Sequence, residues 1–253
     1  MEKKKNIKII VILLACFLIY MFLMFLLIPK NKGTSGYILN SGIGSFYCEN
    51  AKCESVSDSD VSTGSQSFAV YQYNEYVDNY QVNYNMDTWN FFQNNSWKAI
   101  YGDYLAIDTS LDFEYLPYEM VPLSGSEENM IQSRTKISYT ALNRNNVYTL
   151  DLDNNGVTDR LYALSNQTEE EENNDYFSIF FVEINGDLQP IYINTVQDAD
   201  GYSLPYYNVA GVLKIDGVLK IILNKGFFSS HGVPETILLT FDGERFVEET
   251  ENE

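Results

Sequence analysis

The chain has 253 residues, 45% of them hydrophobic and 15% aromatic, which excludes a disordered polymer. A formal net charge of −19 leaves nothing to neutralise a phosphate backbone, so nucleic acid is excluded as a partner. Three cysteines and a single histidine exclude a thiolate–imidazole zinc site.

The first segment, MEKKKNIK, precedes an uncharged run over residues 9–28 (IIVILLACFLIYMFLMFLLI), and PKNK follows. Such a run, at about 1.5 Å rise per residue, spans about 30 Å, the hydrocarbon thickness of a bilayer. Lys3, Lys4, Lys5 and Lys8 precede the run, whereas only Lys30 and Lys32 closely follow it. The positive-inside bias therefore predicts a single-pass signal-anchor in the cell membrane, with the N-terminus cytoplasmic and the rest outside. Its lipid contact is the run 9–28. A cleaved signal peptide is the first rival, but its apolar region would cover about 7–15 residues and end at small residues. A lipoprotein is the second, because Leu13-Leu14-Ala15-Cys16 resembles a lipobox; apolar sequence rather than a polar tether then follows Cys16.

Residues 1–32 hold six of the sixteen basic residues and one of the 35 acidic ones. The remainder thus carries 10 basic against 34 acidic residues, a formal −24. Such a surface is soluble, avoids anionic lipid headgroups and condenses divalent cations. Cys48 and Cys53, in FYCENAKCESV, are too far apart for a redox CxxC. In an exported chain they are expected to form a disulfide across a turn; two free thiols are the alternative.

From Tyr37 short apolar runs alternate with Gly, Asn, Asp and Ser, the pattern of an all-β chain. FAVYQY, YQVNY, TWNFF, WKAIYG and YLAID read as strands of a small sheet rich in aromatic residues. Ser124 or Ser126, followed by Glu127 or Glu128, marks a helix start, and EENMIQSR holds two or three turns. Strands return with NVYTLDL, DRLYAL, YFSIFFVEI, QPIYINT, VAGVLKI, GVLKIIL, ETILLTF and RFVEE. Asn185-Gly186, Asp216-Gly217 and Asp242-Gly243 are hairpin signals, because Gly accepts positive φ. The expected organisation is a cytoplasmic tail (1–8), an anchor (9–28) and a tether (29–36). A small antiparallel β domain (37–120), a linker with a short helix (121–139) and a second β domain (140–253) follow.

DLDNNGVTD places oxygen side chains at Asp151, Asp153, Asn155 and Asp159, positions 1, 3, 5 and 9 of a loop. Gly156 stands at position 6, where a calcium loop turns left-handed, and Val157 offers its carbonyl at position 7. An EF-hand is excluded, because position 12 is Tyr162 and the flanks alternate like strands. These five residues are the candidate ligands of a Ca²⁺ of moderate to weak affinity, in the extracellular range of roughly 10⁻⁴–10⁻³ M. A plain Asn-Gly turn with solvated carboxylates is the competing reading.

Residues 147–164, strand–DxDxNGxxD–strand, resemble the calcium loop of integrin-type FG-GAP and VCBS repeats. A weaker second copy, VLKIDGVLKIILNKGFFSSHGVPETILLTFDGERF, keeps only Asp216 and Gly217 of the loop and carries no ligands over. The resemblance implies a mainly β fold whose C-terminal domain is two propeller-blade-like antiparallel sheets. Two blades cannot close a propeller, which needs about four to eight, so a stacked pair is expected. The order of anchor, FAVYQYNEYVDNYQVNY, TWNFF, YLAI, helix and DxDxNG domain is similar to that of single-pass bacterial surface proteins. That likeness covers most of residues 37–249 and implies architecture and location, not an activity.

A hydrolase would have to use His231 in SSHGVP, yet its neighbours Ser229 and Ser230 cannot readily face it, and no GxSxG elbow is present. No carboxylate pair is marked for glycoside hydrolysis. The expectation is a non-enzymatic binding module. Tyr71, Tyr73, Tyr76, Tyr80 and Tyr84 are its candidate ligand face, and an envelope protein or glycan its partner. A purely structural ectodomain beside envelope machinery is the main alternative; a lipoprotein and a carbohydrate-active enzyme stand behind it.

Overall fold

A computed structural model describes residues 34–41, 43–61, 66–85, 88–136, 144–166, 176–196, 204–227 and 233–249. Thr34–Glu253 form one compact unit. Strands β1 (Ser35–Asn40), β2 (Gly44–Glu49), β3 (Lys52–Val56), β4 (Ser67–Gln72) and β5 (Glu75–Asn85) belong to the first sheet. With β6 (Thr88–Gln93), β7 (Ser96–Lys98) and β8 (Leu105–Asp108) they make an eight-stranded sheet ordered β3-β2-β1-β8-β4-β5-β6-β7. Next along the chain come β9 (Phe113–Tyr115), β10 (Glu119–Val121) and helix α1 (Gly125–Thr135). The remaining strands are β11 (Arg144–Leu150), β12 (Asp159–Ser165), β13 (Tyr176–Ile184) and β14 (Asp187–Val196), then β15 (Pro205–Ile215), β16 (Val218–Phe227), β17 (Glu235–Phe241) and β18 (Phe246–Glu248). They form two five-stranded sheets, β10-β11-β12-β13-β14 and β18-β17-β16-β15-β9.

The layers follow from which faces are apolar. The β15–β18 sheet is buried on both sides. Val212, Ile221 and Leu239 pack against Leu161, Phe180 and Val182 of the β11–β14 sheet. Leu213, Ile222 and Leu238 face the other way, onto Ile38, Phe46 and Ile107 of the eight-stranded sheet. Each such side chain, removed from water, contributes about 1.5–3 kcal/mol. The outer face of the β11–β14 sheet is covered by α1 through Ile131, packed with Tyr162, Phe177 and Phe181. Ser124 caps α1, and Glu127 returns the bond in a capping box, as the Ser–Glu spacing predicts. Glu127 also reaches Arg160 on β12 at 2.9 Å, tying the helix start to the sheet.

The expected architecture is corrected on two counts. Among the described residues no helix is long and apolar enough to cross a membrane, α1 being eleven residues, and the run 9–28 lies outside them. The picture of a small β domain beside a separate pair of blade-like sheets also fails. β9 and β10, from the first half of the chain, pair with β15 and β11 and complete the two C-terminal sheets. The eight-stranded sheet shares a core with β15–β17. The reason is the central sheet: VLKI, LKIIL and TILL are apolar on both faces, and one neighbouring layer leaves half of that surface wet.

Turns fall where glycine and asparagine allow positive φ. Asn185-Gly186 and Asp216-Gly217 close the β13–β14 and β15–β16 hairpins with both residues left-handed. The β4–β5 turn uses Tyr73 and Asn74 instead, at φ 49° and 66°.

Candidate functional site

The acidic loop joins β11 to β12. Asp151, Asp153 and Asp159 each offer a carboxylate oxygen, all within 4.8 Å of one another. Oxygens on opposite sides of a calcium ion stand about 4.6–5.2 Å apart, twice the usual Ca–O distance, so the spacing of these three is compatible with a shared ion. The Asp151 carboxylate accepts N–H bonds from Asn155 at 3.1 Å and Gly156 at 2.7 Å, which folds the loop back on its first residue. Partial desolvation works against its charge, but the Gly156, Asn155 and Asn154 N–H groups prevail and hold it below the ordinary aspartate range. Asn154 and Gly156 take positive φ, as such a loop requires. Asp159 is buried, 1% exposed, and accepts N–H bonds from Leu152 at 2.8 Å and Asn185 at 2.9 Å.

That last contact brings in a residue outside the motif. Asn185, read in the sequence only as a hairpin turn, donates to Asp153 at 2.8 Å and accepts from the Asn155 amide at 2.5 Å. Asn155 Nδ2 also donates to Asp153, at 2.9 Å. The two amides thus screen the Asp153 charge, and rotating either about its terminal torsion presents Oδ1 in place of Nδ2. The donor set fits a hard oxygen-seeking cation, with Asn185 as the contribution of a neighbouring turn. The Val157 side chain points to solvent; its N–H donates to Asn155 Oδ1 at 2.6 Å.

Cys48 and Cys53 are directly opposed on β2 and β3 and form a disulfide. The Cys53 N–H donates to Glu249 at 2.9 Å, and Glu249 also accepts from Lys220, at 2.7 Å. Lys220 is fully buried; desolvation lowers its pKa despite that carboxylate.

A second concavity lies where the three sheets meet, with a volume of about 480 Å³. That is within the roughly 300–1,000 Å³ of small-molecule sites. Its walls are tyrosines. Tyr71 stacks on Tyr115 at 4.0 Å with planes 13° apart, and Tyr118 meets Tyr148 edge-on at 5.2 Å. The Tyr118 hydroxyl donates to the Val209 carbonyl at 3.0 Å, and the Tyr148 hydroxyl accepts the Val209 N–H at 3.3 Å. Burial pushes the Tyr104, Tyr115 and Tyr118 hydroxyls well above the ordinary phenol range, and Tyr71 shifts the same way.

The floor is a strip of four asparagines. Asn40 on β1 donates to Asn224 on β16 at 2.5 Å, Asn224 is directly opposite Asn208 on β15, and Asn146 on β11 donates to Asn208 at 3.1 Å. A bulge at Ala210 sets this register, shifting the β15–β16 pairing by one residue. Asn40 is 1% exposed. At the rim stand Tyr73, 83% exposed, and Met120, 61% exposed, beside Asp103. No basic residue lines the cleft among the described residues.

Of the five tyrosines expected on one ligand face, Tyr71 and Tyr73 line this cleft. Tyr76 leans edge-on against Tyr71 at 5.6 Å. Tyr80 is buried against Phe91, and Tyr84 packs on Trp89 at 4.8 Å. The four asparagines, Tyr104, Tyr115, Tyr118 and Tyr148 were not singled out in the sequence. Ser229, Ser230 and His231 lie outside the described residues. No family model, curated protein or solved structure matches the chain.

Proposed function

We propose that this protein is a membrane-tethered, extracytoplasmic binding module that performs no reaction, with a ligand cleft and, apart from it, a Ca²⁺-stabilised loop. The observation that carries the reading is the cleft. Three sheets meet around a cavity of small-molecule size, about 480 Å³, whose lining, rich in tyrosine and asparagine, offers hydrogen bonds and ring surface but, among the described residues, no nucleophile paired with a base. The uncharged run at 9–28, its lysine asymmetry and the Cys48–Cys53 disulfide support export and tethering. For the cation, Asp151, Asp153, Asp159, Asn155 and the Val157 carbonyl would hold it, with Asn185 alongside. Bound, it would neutralise three converging carboxylates and stiffen the β11–β12 turn.

The full chain in detergent, immobilised and exposed to solubilised material from its own envelope, should retain a component that Met120→Arg releases. Met120 is exposed, so this substitution places a long cation over the cleft mouth without disturbing the core. Equal retention by both proteins contradicts a cleft that binds. Protease added to intact cells should remove the chain beyond residue 33, and full protection contradicts the export.

A further inference from the structure

We infer that the cleft takes an uncharged saccharide, a reading that rests on the cleft being the binding site and names the class of its ligand. The charge of the lining decides first. With no basic group among the described lining residues and Asp103 at the rim, an anionic ligand finds repulsion and no counter-ion. The polar groups that remain are amides and phenols. Asn40 spends both amide N–H groups on Asn224 and Thr236, which leaves the Nδ2 groups of Asn208 and Asn224, the second N–H of Asn146 and the remaining carbonyl lone pairs as the mixed set that neighbouring hydroxyls of a sugar ring require. The four asparagines run in a line across three sheets, from Asn40 through Asn224 and Asn208 to Asn146. The Tyr71–Tyr115 stack lines the cleft with its inner faces turned to each other, so the ring that can meet the apolar C–H face of a pyranose is the exposed Tyr73.

A peptide occupant is disfavoured by the backbone. Added strands need an unpaired sheet edge, and at Asn40 and Asn224 both edges are occupied: Asn40 opposes Gly44 and Leu105, and Asn224 opposes Asn208 and Thr236. The outer edge of β15 at Val209 is capped by the Tyr118 and Tyr148 hydroxyls.

Tyr73 supplies an independent sign of a ligand. It sits at φ 49° in a two-residue hairpin turn, a conformation that favours Asn, Asp or Gly and disfavours a bulky ring. With the residue 83% exposed, burial does not offset that strain. The ring stands at the cleft rim, where it can close over a bound sugar.

The test uses the full chain in detergent micelles and calorimetric titration with four probes. Two are neutral, oligomers of glucose and of N-acetylglucosamine; one is a sulfated glycan; one is an uncharged random peptide. Binding of a neutral oligosaccharide is expected, weakened about tenfold in Tyr73→Asn, which removes one ring contact. The same substitution should leave the thermal midpoint unchanged or higher, because asparagine suits the turn. Binding of the sulfated glycan or the peptide alone, lost in Met120→Arg, overturns the saccharide and keeps the binding module. Binding of neither neutral oligomer, together with equal retention of envelope material by wild type and Met120→Arg, overturns both.

Discussion

The acidic loop takes all five of its expected ligands from one stretch, residues 151–159, whereas the cleft takes its four floor asparagines from β1, β11, β15 and β16 in three different sheets. The first is closed by hydrogen bonds between residues a few positions apart, such as Asp151 to Gly156. It is complete as soon as its hairpin and the Asn185 turn form. The second exists only when three layers stack. A local site tolerates damage to distant packing, and an assembled one inherits every weakness of the layers that enclose it. The two regions therefore answer differently to the same perturbations.

The largest expected difference is in core truncation. Leu105 is buried, lines the cleft and packs in the core shared by the eight-stranded and central sheets. Leu105→Ala should cost about 2–5 kcal/mol in urea unfolding and loosen the cleft, while leaving calcium binding at the loop intact. A cost below about 1 kcal/mol would mean that the layers do not depend on one another. Next comes the Cys48–Cys53 bridge, which closes a short loop, so reduction should lower stability by about 2 kcal/mol or less. A loss beyond about 4 kcal/mol would show the hairpin governing the whole fold through the Glu249–Lys220 pair. Smaller still is the cation. Calcium at ten times its dissociation constant should add about 1.4 kcal/mol by mass action, and Asp153→Ala should abolish that gain without loss in chelator. Equal thermal midpoints in calcium and chelator would return the loop to a plain turn.

The smallest effects at neutral pH are the two pH limbs, which point in opposite directions. The Asp151 pKa is lowered, so its contribution is present above the unfolded value of 3.8 and fades as pH falls through the folded one. The Tyr115 and Tyr118 pKa values are raised, so their contribution is present below 10.0 and fades as pH rises past it. Asp151→Asn should lessen only the acid limb, to which Glu127 and Asp242 also contribute, and Tyr115→Phe with Tyr118→Phe should lessen only the alkaline limb, to which Tyr104, Tyr162 and Tyr192 also contribute. A tyrosine variant that also changes the acid limb would couple the two regions.

The same contrast explains what could be read from the sequence. Strands β13 and β17 match the apolar runs YFSIFFVEI and ETILLTF residue for residue, and α1 begins at the expected Ser–Glu box. The calcium-type loop was visible because its chemistry lies within nine positions, and Asn185 was missed because only the fold brings it there. The cleft was hidden for a sharper reason. A regular two-residue turn at Asp216-Gly217 continues the pairing of Gly211 with Ile222, which would place Asn208 opposite Lys225; the bulge at Ala210 moves it opposite Asn224. Three-residue β9 and β10 carry too little pattern to assign, so the joining of the two halves of the chain was not legible either.

Amide hydrogen exchange of the full chain, followed residue by residue with and without calcium, tests most directly that the acidic loop is a cation site independent of the cleft. With calcium at about 10 mM, roughly ten times the upper end of the extracellular range, the amides of Asn155, Gly156, Val157 and Asn185 should exchange more slowly. Those of Asn208, Val209 and Asn224 should not change. Unaltered exchange at 155–157, or slowing that spreads into β15 and β16, would contradict it.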